Sequence, residues 1–334
     1  MSSVAYQDDG RVARRSESAA APLPLVEATA AAAWFAVAAL TAGLGETGDF
    51  GYTAEFAWGL AAIGVAILVA TAIGRAAPSF GSRLRHHAPW LVALAGFFGA
   101  WEFVTAKFEL LPMPFFPPPQ AVLEVYLDDF PRLFESILAS AQLLGVGYLF
   151  GAAAGFALGI AIGWSKAVSY WTHPVLRFVG PLPATAWLPL AFFIFPSSWS
   201  ASTFLIALAT GFPVTVLTWS GVASVPSSYY DVARTLGASR SFLVLRVAIP
   251  AALPHVFVGL FMGLGASFAV LVVAEMLGVK AGLGWYLQWA QGWASYANMY
   301  AALIVMALAC SGLITVLFRI RDRQLGWQKG VVRW

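Results

Sequence analysis

The sequence predicts an all-α integral membrane protein with about eight transmembrane helices, and three observations carry that expectation. Of the 334 residues, 60% are hydrophobic and 10% charged, whereas a soluble domain has about half and a quarter. The apolar residues gather into runs of about twenty, the length a helix needs to cross a hydrocarbon core of about 30 Å. Basic and acidic residues alternate between successive gaps, as the positive-inside rule requires of a multi-pass chain. The expected spans cover about 27–45, 54–74, 89–110, 137–164, 175–196, 201–224, 255–277 and 298–319. The fifth and sixth are divided only by the tight turn at Pro196-Ser197-Ser198.

Residues 1–25 are polar, Ala/Ser-rich and carry Arg11, Arg14 and Arg15, which predicts a disordered cytoplasmic tail ahead of an uncleaved first span. Glu46 and Asp49 follow the first span, and Arg75, Arg83 and Arg85 the second. Glu124, Asp128 and Asp129 follow the third, and Lys166 and Arg177 flank the gap after the fourth. Arg319, Arg321, Arg323, Lys329 and Arg333 close the chain. This alternation puts both termini in the cytoplasm, with Arg132 and Lys280 as outer-side exceptions.

The fourth span carries Gly147, Gly151, Gly155, Gly159 and Gly163, one at every fourth position. Small residues at that spacing let helix backbones approach closely. Each step drifts by about 40° around a 3.6-residue helix, so the stripe winds. It is therefore expected to meet several neighbours, making the fourth span a central helix. In the fifth span Pro181, Pro183 and Pro189 interrupt the helix around Thr185 and Trp187. Irregular backbone at membrane depth fits a static kink or a cavity, so Pro181, Pro183, Thr185 and Trp187 are translocation-path candidates. Glu275, near the outer end of the seventh span, joins them, since a carboxylate at that depth must face a partner, a cavity or the headgroups. Glu102 and Lys107 pose the same question more weakly, because Lys107 can snorkel outward. Trp285, Tyr286, Trp289 and Trp293 form either an interfacial belt or a substrate-contact surface.

A polar island runs from Val225 to Pro250 between two apolar spans. Tyr229, Val232, Ala233 and Leu236 recur there at helical spacing, and Gly237 stands where that helix would end. Ser239 can cap a second short helix and Pro250 can open the next span. Asp231-Val232-Ala233, then Gly237, then Val247-Ala248-Ile249-Pro250 ending nineteen residues after the acid, resembles the cytoplasmic EAA loop of binding-protein-dependent ABC importer permeases. Here Asp replaces Glu, Val the first Ala, and Val and Ile the usual Ile and Leu. The flanking Ala233-Arg234-Thr235-Leu236-Gly237-Ala238-Ser239, Val273-Ala274-Glu275-Met276-Leu277 and Gly282-Leu283-Gly284 are similar to permeases for sulfonates, taurine, nitrate and bicarbonate.

That resemblance implies a six-helix type I ABC importer permease core at 88–321, with a coupling loop at 225–254. An N-terminal hairpin at 26–87 would precede it and a cytoplasmic tail at 322–334 would follow. It further implies docking of ATPase subunits through Tyr229, Tyr230, Asp231, Val232, Ala233, Arg234, Leu236, Gly237 and Ala238. The implied partners are two such subunits holding ATP and Mg, a second permease copy as homodimer, a periplasmic or lipid-anchored solute-binding protein, and membrane lipid. The implied setting is the bacterial inner membrane, and the implied cargo a small anion, with sulfonates ahead of nitrate and bicarbonate.

No Gly-x-x-x-x-Gly-Lys-Ser/Thr sequence occurs, so no cofactor is expected on this chain itself. Cys310 is the single cysteine, and His86, His87, His173 and His255 are scattered, which argues against a disulfide or a metal cluster. The net charge of +3 is spread over short loops and does not indicate nucleic acid. The spans carry few ionisable groups, against a self-contained secondary transporter or channel, and no clustered acids or histidines suggest a membrane enzyme.

Overall fold

The computed structural model describes residues 25–328, so nearly all of the expected N-terminal tail and the last residues of the C-terminal one lie outside it. Helices account for the ordered elements, with no strand among the described residues. Seven helical segments are long and apolar enough to cross a membrane: Leu25–Gly43, Thr53–Ala76, Ser79–Lys107, Phe130–Trp164, Ser198–Ala223, Arg240–Gly278 and Tyr296–Gln324. An eighth span requires Lys166–Val179 and Ala184–Ile194 together, and this pair is bent by 87°. The expected fifth span, 175–196, is thus the second half of a broken element that starts at Lys166.

The chain packs as two units, divided between Glu109 and Leu110. The first holds α1 (Leu25–Gly43), α2 (Thr53–Ala76), α3 (Pro78–Glu102) and a π turn at Phe103–Lys107. Packing groups α3 with the first two helices, whereas the resemblance drew its boundary at residue 88. The reason is local: Ala88 and Ala95 are small and fully buried, which lets Trp34 of α1 lie on α3 and donate its indole N–H to the Leu91 carbonyl at 3.1 Å. Lys107 corrects another expectation. It does not snorkel; its ammonium is buried and donates to the carbonyls of Thr41 at 2.8 Å and Leu44 at 2.9 Å. Glu46 and Glu102 complete the cage at 3.3 and 3.5 Å. Burying one cation is tolerable because two carboxylates and two carbonyls replace its water.

The second unit holds α4 (Pro119–Asp128), α5 (Phe130–Trp164), α6 (Lys166–Val179), a 3₁₀ turn at Ala184–Trp187 and α7 (Leu188–Ile194). It continues through α8 (Ser198–Ala223), α9 (Ser227–Thr235), α10 (Arg240–Phe242), a π turn at Leu243–Ala248 and α11 (Ile249–Gly278). The last elements are α12 (Leu283–Gly292), α13 (Tyr296–Gln324) and a 3₁₀ turn at Gly326–Gln328.

The five glycines of the stripe on α5 all lie against one helix, α8, rather than against several neighbours. A methyl group on Gly151 would sit 2.4 Å from the Ala207 carbonyl oxygen, and one on Gly155 2.6 Å from that of Gly211. Gly147, Gly159 and Gly163 meet Ile206, Thr218 and Val222. The α8 contacts also advance four residues at a time, so both stripes drift at the same rate and stay in register. Two helices sharing a repeat longer than 3.6 residues wind around each other in the right-handed sense. The expectation failed because it assumed a straight partner. The central helix is α8, since α11 packs closely on it as well: Gly259 lies against Val214 and Gly263 against Thr210, residues that also meet Gly155 and Gly151 of α5.

Candidate functional site

The polar island stands on a seam where three helices meet. Tyr230, in the first half of α9, packs with Val222 of α8, Ala248 of the π turn, Ala252 of α11 and Ile160 of α5. Its ring also meets Trp164 edge-on at 5.8 Å. Desolvation there raises the phenol above its ordinary pKa. Tyr230 therefore packs its ring against the chain's own bundle. Ala233, one turn on, and Ala238 are also half-buried.

The opposite face is bare: Tyr229 is 58% exposed, Val232 61% and Leu236 83%. Asp231 and Arg234 are exposed too and pair with each other at 3.1 Å within α9. A solvated i,i+3 pair of this kind contributes little to stability, and it leaves the apolar residues as the distinctive surface. The end of α9 is fixed by a Schellman cap. Gly237 adopts φ +80°, its amide donates to the Arg234 carbonyl at 2.9 Å, and the Ala238 amide donates to that of Ala233 at 3.0 Å. Ser239 accepts from the Phe242 amide at 3.3 Å, and Pro250 stands in the first turn of α11. Sequence patterning did not signal the π turn at Leu243–Ala248, which joins α10 to α11 without a break. A groove of about 700 Å³ borders this exposed face, lined by Tyr229, Val232, Arg246, Pro250 and Trp327 among others.

The proline-rich break shapes a second feature. After α6 ends at Val179, Gly180 packs against the Phe212 ring, where a methyl group would come within 2.5 Å. Pro181 lies in a turn closed by the Leu182 amide on the Val179 carbonyl at 3.1 Å and Pro183 is extended; neither proline can donate, so the helix resumes only at Ala184. Pro183 and Thr185 line a cavity of about 560 Å³ together with Phe212, Val216, Met262 and Ala266. Thr185 supplies the one hydroxyl among its described lining residues. Pro181 and Trp187 are not part of that lining; Trp187 packs against the core formed by α5, α7, α8 and α11.

Glu275 lies elsewhere and is fully buried, so it faces neither the cavity nor the headgroups. Its carboxylate accepts the Ser140 hydroxyl, with Oε1 at 2.7 Å and Oε2 at 2.9 Å. The Gly284 amide donates to Oε2 at 2.8 Å, and the Leu283 amide donates to Ser140 Oγ at 2.8 Å. Gly282, at φ +125°, turns the chain so closely that a Cβ there would strike the carboxylate. The acid thus holds the N-terminal end of α12 onto α5 and α11, where the helix dipole favours a negative group. Ser140, which sequence reading missed, sits on the buried face of α5 with Ser136. That polar spacing was visible, but nothing in the sequence linked it to an acid 135 residues away.

The aromatic group of α12 is split by the same anchoring. Tyr286 is fully buried and donates to Asp129 Oδ2 at 2.7 Å, while the Arg132 guanidinium lies 4.5 Å over the Trp289 ring. Trp293, at 75% exposure, is left as the strongly exposed member of the expected belt.

Comparison with known proteins follows this geometry closely. The family model described as "binding-protein-dependent transport system inner membrane component" matches residues 147–325, from the glycine stripe through α13. The nitrate import permease protein NrtB of Leptolyngbya laminosa is 32% identical over 244 residues, covering 71% of this chain and 85% of that protein. The bicarbonate transport system permease protein CmpB of Synechococcus elongatus is 30% identical over 204 residues, covering 60% and 70%. A probable ABC transporter permease protein of Brucella abortus is 31% identical over 243 residues, covering 72% and 95%.

Proposed function

Because the chain belongs to the binding-protein-dependent transport system inner membrane components, the permeases of type I ABC importers, we propose that it forms the path for a small oxyanion and is driven through α9. The observation that carries this reading is the bare apolar face of Tyr229, Val232 and Leu236 on a helix whose other face is seated on the bundle by Tyr230. An exposed apolar patch on a rigid mount gains by docking. Its position directly after α8 links any displacement of α9 to the central helix.

In this reading two permease copies form one path, and each presents α9 to a separate ATP-hydrolysing subunit that holds ATP and Mg. Closure of those subunits draws the two α9 helices together and shifts the bundle between two states. A solute-binding protein delivers the anion from outside, and both termini lie in the cytoplasm. The cavity at Pro183 and Thr185 serves as a stretch of the path. Its apolar wall has no fixed charge to hold an anion, so passage rather than storage is favoured. The order of cargoes shifts from the sequence expectation: the nitrate and bicarbonate permeases among the relatives favour planar inorganic oxyanions over sulfonates.

The test is co-purification of the full-length permease in mild detergent, comparing wild type with Gly237→Asp and Leu236→Asp. Wild type retains an ATP-hydrolysing subunit and both variants lose it while remaining in the membrane. Retention by both variants would remove α9 as the docking element. Labelled nitrate and bicarbonate uptake by the assembled complex then distinguishes the cargoes.

A further inference from the structure

The transport reading leaves the first unit without a task, yet one end of that unit is built in an unusual way. The turn from α2 to α3 is tight because Gly74 and Gly81 meet backbone to backbone. A methyl on Gly74 would lie 2.8 Å from the Gly81 Cα, and one on Gly81 2.6 Å from the Gly74 carbonyl oxygen. The Ala77 amide closes α2 onto the Ile73 carbonyl at 2.9 Å, and the Phe80 and Gly81 amides both reach the Ala77 carbonyl at 3.0 Å. Two helix ends are thereby drawn into one corner that carries Arg75, Arg83, Arg85, His86 and His87, all exposed.

Among the described residues no acid is paired with that charge. No Asp or Glu occurs between Glu55 and Glu102. Among the described residues none of the three arginines forms an ion pair, and Glu27, the acid at the start of α1, is buried. Beside Arg75 a cavity of about 210 Å³ opens between α1 and α2, lined also by Ala28, Leu68, Thr71 and Ala72. Exposed Val69, Ile73, Phe80 and Trp90 adjoin the corner. A topogenic signal needs only the positive charges; it requires neither a cavity nor an apolar surface leading up to them. Guanidinium groups match phosphate oxygens in geometry, and an apolar belt below them matches acyl chains.

We propose that this corner binds the headgroup of an anionic phospholipid, with Arg75, Arg83 and Arg85 supplying the cations and the α1–α2 cavity receiving part of the headgroup. The lipid fastens the first unit to the bilayer by charge.

The experiment uses the full-length permease purified in neutral detergent and incubated with mixed micelles of phosphatidylglycerol and phosphatidylcholine, retained lipid being counted by native mass spectrometry. Wild type is expected to retain phosphatidylglycerol over phosphatidylcholine by at least about five-fold, the effect of roughly one well-placed arginine at low salt. The triple variant Arg75→Gln, Arg83→Gln, Arg85→Gln falls towards parity, and the corresponding triple lysine variant keeps most of the preference. An equal preference in wild type and the glutamine variant overturns the proposal. So does the absence of any preference in wild type, whether or not the variants fold. Displacement of the lipid by millimolar inorganic phosphate would mark an anion site rather than a lipid site, and would also overturn it.

Discussion

Replacing Glu275 separates a structural clasp from a path residue. The carboxylate takes two protein donors, the Ser140 hydroxyl and the Gly284 amide. Hydrogen bonds to a charged acceptor are worth about 1.5–3 kcal/mol each, so Glu275→Ala is expected to cost about 3–5 kcal/mol once both donors are stranded in a dry site. Glu275→Gln keeps the shape and one acceptor oxygen, and should cost about half as much. Ser140→Ala strands the Leu283 amide as well, at about 1–3 kcal/mol. Because the three groups share one network, Glu275→Gln and Ser140→Ala together should fall short of additivity by about 0.5–3 kcal/mol. Thermal unfolding in detergent, followed by tryptophan fluorescence, ranks the variants, since Trp285 and Trp289 ride on α12. Hydrogen exchange at Leu283 and Gly284 reads the clasp directly and should accelerate in Glu275→Ala. Wild-type stability and exchange in Glu275→Ala, with transport lost, would refute the clasp and return the residue to the path.

Other perturbations test the remaining packing. Gly151→Val should destabilise the α5–α8 seam by more than the roughly 1–3 kcal/mol of ordinary overpacking, because the obstacle is backbone. Gly145→Ala on the same helix meets nothing within 4 Å and should be neutral or stabilising by up to about 1 kcal/mol; unfolding midpoints compare the two. Lys107→Met should cost about 3–5 kcal/mol by leaving Glu102 and Glu46 uncompensated, with partial recovery on adding Glu102→Gln; denaturant titration of the purified protein measures both. Tyr230→Ala should unseat α9 while its outer face stays intact, so ATP hydrolysis by the assembled complex should lose its response to solute more completely than subunit binding is lost; matched activity and pull-down assays check this.

Features that depend on neighbours along the chain were legible in the sequence. Span lengths, the proline break and the Gly237 stop each follow from a local rule of hydropathy or backbone geometry. What failed to show was anything set by a distant partner. The glycine stripe announced a close contact but not with which helix, because α8 carries its matching repeat in residues such as Ala207, Gly211 and Thr215 that look ordinary in a membrane span. Glu275 and Lys107 were noticed as costly charges, yet their cages combine side chains elsewhere in the chain, Ser140 for one and Glu46 and Glu102 for the other, with backbone amides and carbonyls that every residue possesses. Tyr230 entered only as one of the docking residues implied by the resemblance, which marks a stretch of chain and not the face each side chain takes.

The seam between α5 and α8 limits how the bundle can move. Elsewhere in a core, one helix can roll on another when side chains exchange rotamers, and two such arrangements make two states. Here, over the second half of α5, glycines rest on the α8 backbone and on β-branched side chains such as Ile206, Val214, Thr218 and Val222, which are stiff at χ1 and have little room to exchange rotamers. The pair is expected to travel as one stiff lever, with α11 packed on the same α8 residues Thr210 and Val214. Bending is then left to the hinge at Gly180–Pro183, where α6 is already cut loose from α7.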